Sequence, residues 1–147
     1  SSPVLIPSGS DTDWDATHVF RPSIIEQDGT YHMFYSGSND VIAGGVPYAH
    51  GIGHATSSNG VTWKKDASNP IFYFQQGTAW RNGRVYTPFV VSGSCCAKNP
   101  RQHHFKMWFT GGTGAFAGDQ QGIGYATIPC YELEGDQDVG PCDCCTK

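Results

Sequence analysis

The chain has 147 residues, a net charge of −4 and 15% charged side chains, which fits one ordinary domain. With 9 lysines and arginines it offers no basic surface for nucleic acid, and it has no apolar run of the roughly 20 residues that a membrane span needs. Its 19 glycines, 9 prolines and 13% aromatic residues are typical of short strands joined by tight turns.

The first predicted element is a short apolar strand at residues 1–7. It consists of Pro3, Val4, Leu5 and Ile6. The letters SPVL resemble NPIF at residues 69–72, where a later strand is predicted to open. The chain therefore begins with a strand of the kind that closes a repeat further along.

Residues 8–74 form the first predicted repeat. Its four strands are Val19–Ile25, Tyr31–Tyr35, Gly51–Ser57 and a strand opened by Asn69–Phe72. Pro22 inside the first strand indicates a bend or a position without a ladder partner. Asp28 and Gly29 predict a tight hairpin turn between the first two strands.

Residues 75–130 repeat the same order. Trp80 corresponds to Trp14, FKMWFTG corresponds to YHMFYSG, and GIGYATI corresponds to GIGHATS. The matching strands are Arg84–Val91, Phe105–Thr110 and Gly122–Ile128. An internal repeat of this length, rich in strands, indicates propeller blades. We predict an all-β fold of two antiparallel, four-stranded, propeller-type blades.

The two ends of the chain do not balance. The first end has a strand too many, and the second repeat has no match to the Asn-Pro-apolar strand. In one arrangement Cys130–Leu133 supplies the last strand and Val4–Ile6 packs on its own chain. In the other, the first strand of one chain completes the last blade of another chain, by strand addition at an exposed edge.

The six cysteines all lie in the second repeat or in the tail at residues 131–147. They are Cys95, Cys96, Cys130, Cys142, Cys144 and Cys145. An even set without the spaced C-x-x-C pairs of zinc sites favours disulfides, which form in oxidising compartments. The chain also starts with serine rather than methionine, as a mature secreted chain does. We therefore expect an extracellular protein.

The order of the motifs resembles a known enzyme family. The strings RPSII, DGTYHMFYSG and IGHATSSNGVTW, following Trp14, are similar to repeats of five-bladed propeller glycoside hydrolases of the arabinanase, xylosidase, invertase and levansucrase type. The resemblance covers both repeats, from Trp14 to Ile128. It implies strands that radiate from a central funnel, with carboxylates on the innermost strands acting on a glycosidic bond.

The catalytic pattern that the resemblance implies is missing. That family carries an aspartate in an Arg-Asp-Pro motif, whereas here Arg21 directly precedes Pro22 and the second repeat has Thr87-Pro88. Glycoside hydrolysis needs two carboxyl groups flanking the bond. None of the three glutamates begins an innermost strand, and Asp15 has no evident partner. We predict no catalytic residue and no enzyme activity.

Four residues are candidates for ligand binding. Trp14 and Trp80 each precede an innermost strand and can stack on a sugar, Asp15 directly follows Trp14, and Arg21 directly precedes Pro22. The alternative for the tryptophans is core packing, since propeller blades pack through aromatic side chains.

Metal binding is weakly encoded. Asp11, Asp13 and Asp15 form a D-x-D-x-D run, but an EF-hand loop would need Gly and Glu where Ala16 and Pro22 stand. Histidines on predicted strands, such as His54, are expected at the surface. We predict no cofactor and no metal site, with calcium at the aspartates as the lesser alternative.

The sequence favours an extracellular, non-catalytic structural or interaction module that assembles with copies of itself, as an oligomer or a fibre. Two other functions stay open. One is a carbohydrate-binding module with a glycan as partner, and the other is a fragment or subunit of a propeller glycoside hydrolase.

Overall fold

A computed structural model describes residues 2–39, 49–74, 79–93, 104–113 and 120–129. These residues form β-strands and short turns, which confirms the predicted all-β class. The strands are β1 (His18–Gln27), β2 (Thr30–Asn39), β3 (Ala49–Ser57), β4 (Lys64–Lys65), β5 (Phe72–Tyr73), β6 (Arg84–Ser92), β7 (His104–Gly112) and β8 (Gln121–Pro129). A short 3₁₀ turn, Ala79–Arg81, precedes β6.

Blade 1 is the sheet β1-β2-β3, in which β4 and β5 both pair with β3. All of its ladders are antiparallel. Gln27 pairs with Thr30, so the β1–β2 turn consists of Asp28 and Gly29 alone, with φ of 51° and 79°. Positive φ at both positions is the geometry of the tightest hairpins. The predicted turn is confirmed. The predicted fourth strand is the two-residue β5, and the two-residue β4 was not predicted as a strand.

Blade 2 is the antiparallel sheet β6-β7-β8. Its three strands cover the predicted segments and extend them by one or more residues at the ends. Within the described residues, β8 has one ladder partner, β7. The segment Cys130–Leu133, predicted as one possible last strand, lies outside the described residues, as do all six cysteines.

The segment before Trp14 packs on blade 1 without forming a strand in residues 2–7. Leu5 contacts the core cluster of Met33 and Tyr35, while Val4 and Ile6 are exposed. Donation of this segment to another chain stays a prediction.

The two blades share one hydrophobic core. Blade 1 contributes Phe34 and Ile52, and blade 2 contributes Val90, Phe105 and Met107. Two serine hydroxyls of blade 1 also accept hydrogen bonds from the backbone of β6. Ser36 Oγ accepts from the Thr87 N–H at 2.8 Å, and Ser23 Oγ accepts from the Val90 N–H at 3.0 Å. These contacts fix β6 against the face of blade 1.

A tryptophan is pressed onto glycines in each blade. A Cβ built on Gly37 or Gly53 would stand 2.5 or 2.6 Å from the Trp14 ring. In blade 2, a Cβ on Gly111 would stand 2.6 Å from the Trp80 ring. Real Cβ contacts are never this short, so the glycines let the indole lie directly on the backbone. No helix among the described residues is long and apolar enough to cross a membrane.

Candidate functional site

Each blade has a bulge in its first strand, at the residue before a proline. The β1–β2 pairing shifts around Arg21, which has a φ of 52°, and the β6–β7 pairing shifts around Thr87, which has a φ of 55°. This left-handed region costs a residue other than glycine about 1–2 kcal/mol, and a β-branched threonine there is an outlier. Bulges also turn side chains out of the alternation of a strand. We call this region the paired bulges.

The two bulges meet at their side chains. Arg21 Nη1 donates a hydrogen bond to Thr87 Oγ1 at 3.0 Å. The guanidinium carbons of Arg21 and Arg84 each lie 5.6 Å from the centre of the Tyr86 ring. The Tyr86 hydroxyl donates to Gln121 Oε1 at 2.8 Å. Two cations and several polar groups thus surround one tyrosine at an accessible edge of the first strands.

This arrangement lacks the carboxylates that glycoside hydrolysis needs. The residues before proline, Arg21 and Thr87, carry no acid. The candidate Asp15 is buried on the other side of blade 1. Its Oδ2 accepts hydrogen bonds from Lys65 Nζ at 2.6 Å and from the Tyr35 hydroxyl at 3.1 Å. Burial and then the Asp15 charge hold the pKa of Tyr35 well above its usual value. Asp15 therefore stabilises the blade instead of facing a ligand.

A second polar network is buried between the blades. His54 Nδ1 lies 3.3 Å from Asp66 Oδ2, and His54 Nε2 lies 3.0 Å from His32 Nδ1. Asp66 Oδ2 accepts a hydrogen bond from His54 Nδ1–H, so His54 Nε2 is unprotonated and accepts a hydrogen bond from His32 Nδ1–H. The His32 ring packs on Phe105 of blade 2, with ring centres 5.1 Å apart. His54 must be neutral in this chain of hydrogen bonds because its Nε2 accepts, whereas His32 donates from Nδ1 in either protonation state.

The pKa of His54 agrees with that requirement, and the pKa of His32 is lowered as well. Burial is the largest cause that lowers the pKa of His54, to about 4, and the nearby His32 lowers it further. Burial also lowers the pKa of His32, against a smaller opposing effect of Asp28. The expectation of surface histidines was wrong for His54, which has no exposed area. In the register of β2 and β3, His54 pairs with the buried Phe34, and this pairing becomes visible only in the structure.

Blade 2 exposes a row of large apolar side chains that we call the aromatic face. It consists of Phe89, Trp108, Ile123 and Tyr125. In the register of the sheet, Phe89 pairs with Trp108 and Trp108 pairs with Tyr125. The ring centres are 6.4 Å and 5.3 Å apart. One continuous apolar row therefore crosses all three strands.

The matching residues of blade 1 are buried. Phe34, Ile52 and His54 occupy the places of Trp108, Ile123 and Tyr125 in the repeat. All three are 0% exposed, whereas their counterparts are 37%, 72% and 55% exposed. Blade 2 itself covers them in blade 1. The aromatic face of blade 2 thus corresponds to the surface of blade 1 that blade 2 covers. The sequence patterns did not indicate this face.

The residues that the sequence predicted as ligand contacts lie at different places in the structure. Trp14 is partly buried on the glycines of blade 1 and lies 5.6 Å from the Tyr35 ring. Trp80 is 40% exposed and stacks on Phe109. Of the four candidates, Arg21 alone joins the paired bulges. In the described part of the chain no group of three or more metal-ligating side chains comes together.

The loop that carries the D-x-D-x-D run is organised by an amide. The Asn39 side-chain nitrogen donates to the backbone carbonyls of Asp11 and Asp13, both at 2.7 Å. These carbonyls, which a calcium ion could otherwise use, already accept a hydrogen bond. The third aspartate, Asp15, is bound to Lys65.

Comparison with known proteins identifies the fold. No family model and no curated protein matches the chain. Among solved structures, a putative glycoside hydrolase from Parabacteroides distasonis is 17% identical, with a TM-score of 0.57 over 84% of this chain and 36% of that one. A glycosyl hydrolase from Bacteroides ovatus is 18% identical, with a TM-score of 0.54 over 79% of this chain and 30% of that one.

These likenesses establish a fold of the propeller-type glycoside hydrolases. The predicted resemblance is confirmed at that level. The chain spans about a third of the length of the structures that it matches.

Proposed function

We propose that this protein is a non-catalytic, extracellular interaction module that assembles with copies of itself through the aromatic face of blade 2. The observation that carries the proposal is the match between Ile123 and Ile52. The same residue, at the same place in the repeat, is 72% exposed in blade 2 and 0% exposed in blade 1. In blade 1, the sheet of blade 2 covers Ile52.

The aromatic face has the size and character of a contact surface. A Phe, Tyr or Trp side chain buries about 150–250 Å² when it is covered. At about 25 cal/mol per Å², covering this row would contribute several kcal/mol to association. Soluble proteins seldom leave such a contiguous patch in water without a partner.

The chemistry of the partner follows from the existing interface. In blade 1 the equivalent surface is covered by Val90, Met107 and other apolar side chains of blade 2. Ser36 also accepts a backbone hydrogen bond from the bulge of β6. Thr110 occupies the place of Ser36 in the repeat and has the hydroxyl for the same bond. A sheet face of the same type in a second copy fits this surface.

The paired bulges support the non-catalytic part of the proposal. Residues before proline on the first strands are Arg21 and Thr87, and the buried carboxylates Asp15 and Asp66 are bound to Lys65 and His54. The paired bulges therefore carry no pair of carboxyl groups that could act as the acid and the base of a glycosidase.

A second function follows from the coverage of the structural neighbours. The chain matches about a third of each, so it also suits a blade pair within a longer propeller glycoside hydrolase. In that case a further blade of one polypeptide would cover the aromatic face. The two functions differ in whether the present chain associates with itself.

The experiment is a measurement of mass in solution for three proteins. The wild type should sediment as an assembly of 15.9 kDa chains at micromolar concentration. The double variant Trp108→Ser, Tyr125→Ser should be monomeric, with a dissociation constant raised at least about 100-fold, since each side chain contributes about 1.5–3 kcal/mol when buried. Val61→Ser is the matched control, because Val61 is an exposed apolar residue in a turn of blade 1.

A monomeric wild type, or a double variant that assembles as the wild type does, would contradict self-association. Hydrolysis of aryl glycosides by the purified chain would favour the glycosidase function instead.

A further inference from the structure

Arg21 is an exposed cation held in one position. Its backbone is fixed in the left-handed region by the bulge, and its side chain donates to Thr87. Within the part of the chain that the structure describes, no carboxylate lies within ion-pair distance of its guanidinium. Residues with strained backbone cluster at active sites and ligand sites, and here two such residues are hydrogen-bonded to each other.

We propose that the paired bulges bind a ligand that carries a carboxylate group. Arg21 supplies the planar fork of N–H donors that matches the two oxygens of a carboxylate. Thr87 orients the fork through the 3.0 Å hydrogen bond to Nη1, which leaves the other donors of the guanidinium for a ligand. The guanidinium carbon of Arg21 also lies 5.6 Å from the centre of the Tyr86 ring, which holds the side chain beside the bulge.

The net charge of the protein favours one kind of anionic ligand over another. A net charge of −4 repels polyanions at a distance, so a long anionic polymer is disfavoured. A ligand with one carboxylate avoids most of this repulsion and still gains the charge of the Arg21 guanidinium. Polar groups at the edge, the Tyr86 hydroxyl and the Gln121 amide, suit a ligand that also carries hydroxyls.

This site is independent of self-association. It uses Arg21, Thr87 and Tyr86, none of which belongs to the aromatic face. The test therefore gives an answer whether the protein is monomeric or assembled.

The experiment compares two probes that differ in one group, glucuronate and glucose, by titration calorimetry and by NMR of the arginine Nε–Hε signals. Glucuronate should bind with a millimolar dissociation constant and should shift the Arg21 signal, while glucose binds at least about tenfold more weakly. Arg21→Asn should weaken glucuronate binding about 10- to 100-fold, because a charge-assisted hydrogen bond is lost. Asparagine is chosen because it tolerates the left-handed backbone.

Two further variants separate charge from geometry. Lys64→Gln removes one exposed positive charge on β4 and should change the affinity less than about twofold, as a remote charge is screened. Arg21→Lys keeps the charge without the fork and should recover only part of the affinity. Equal binding of glucose and glucuronate, unchanged binding by Arg21→Asn, an equal loss in Lys64→Gln, or equal displacement by inorganic phosphate would each overturn the proposal.

Discussion

Blade 1 and blade 2 place similar side chains at the same positions of the same sheet, but the surroundings of those side chains differ. Ile52 lies in the shared core, and Ile123 faces water. Blade 1 also replaces aromatic residues with polar ones, such as His54 where blade 2 has Tyr125. Burial in this protein is therefore decided by the neighbour of a blade and not by the sequence of the blade itself.

The largest effect that tests this difference is expected from the isoleucine pair. Ile52→Ala should lower the free energy of unfolding by about 2–5 kcal/mol, because it opens a cavity in the core. Ile123→Ala should change it by less than about 0.5 kcal/mol in the dissociated chain, as exposed substitutions do. Chemical denaturation at low protein concentration measures both. Equal losses would show that blade 2 is covered even in the single chain.

The second effect is expected on acidification. It should destabilise blade 1, because the blade 1 contact surface contains the buried His54, whereas the aromatic face of blade 2 has Tyr125 at that position. The folded pKa of His54, about 4, lies below the ordinary value of 6.5, so the unfolded chain binds more protons between these values. Stability should fall as the pH falls through 6.5 and should have lost roughly 3 kcal/mol near pH 4.

His54→Gln isolates this contribution, since an amide can still donate to Asp66 but does not titrate in this range. The variant should show a shallower loss between pH 7 and pH 4 in denaturation curves recorded at each pH. An acid limb of the same steepness as in the wild type would mean that His54 is not the group that titrates.

The smallest effect separates the two tryptophan contacts. A Cβ on Gly51 would stand 2.9 Å from the Trp14 ring and 3.0 Å from Tyr73, whereas a Cβ on the matching Gly122 would stand 3.6 Å from Trp80. Gly51→Ala should cost about 1–3 kcal/mol through overpacking. Gly122→Ala should be within about 1 kcal/mol of the wild type, and thermal unfolding of both would show the gap. Matching losses would place the Trp80 ring as close to its strand as Trp14 is.

Much of the fold could be predicted from local chemistry. Alternating apolar residues gave the strands, and Asp28-Gly29 gave a turn that only residues tolerant of positive φ form. Pro22 indicated an interrupted ladder, and the interruption is the bulge at Arg21. These features depend on neighbours in the sequence, which the sequence displays directly.

The candidate sites depend on contacts between distant residues and were therefore harder to predict. Arg21 was selected for its position before proline, but its bond to Thr87 joins two repeats. The burial of His54 and the exposure of Tyr125 require knowledge of which blade is covered. Asp15 was selected as a carboxylate near a first strand, yet Lys65, distant in sequence, holds it in the blade.

The indole of Trp14 also has a consequence for how blade 1 folds. It lies on Gly37, Gly51 and Gly53, which belong to β2 and β3, so this contact cannot form until two successive hairpins have brought those strands together. Contacts that join distant parts of the chain slow folding, since the loop must close before the contact stabilises it. The β1–β2 hairpin, with its two-residue turn, can form early. We therefore expect docking of Trp14 to be a late event in the folding of blade 1.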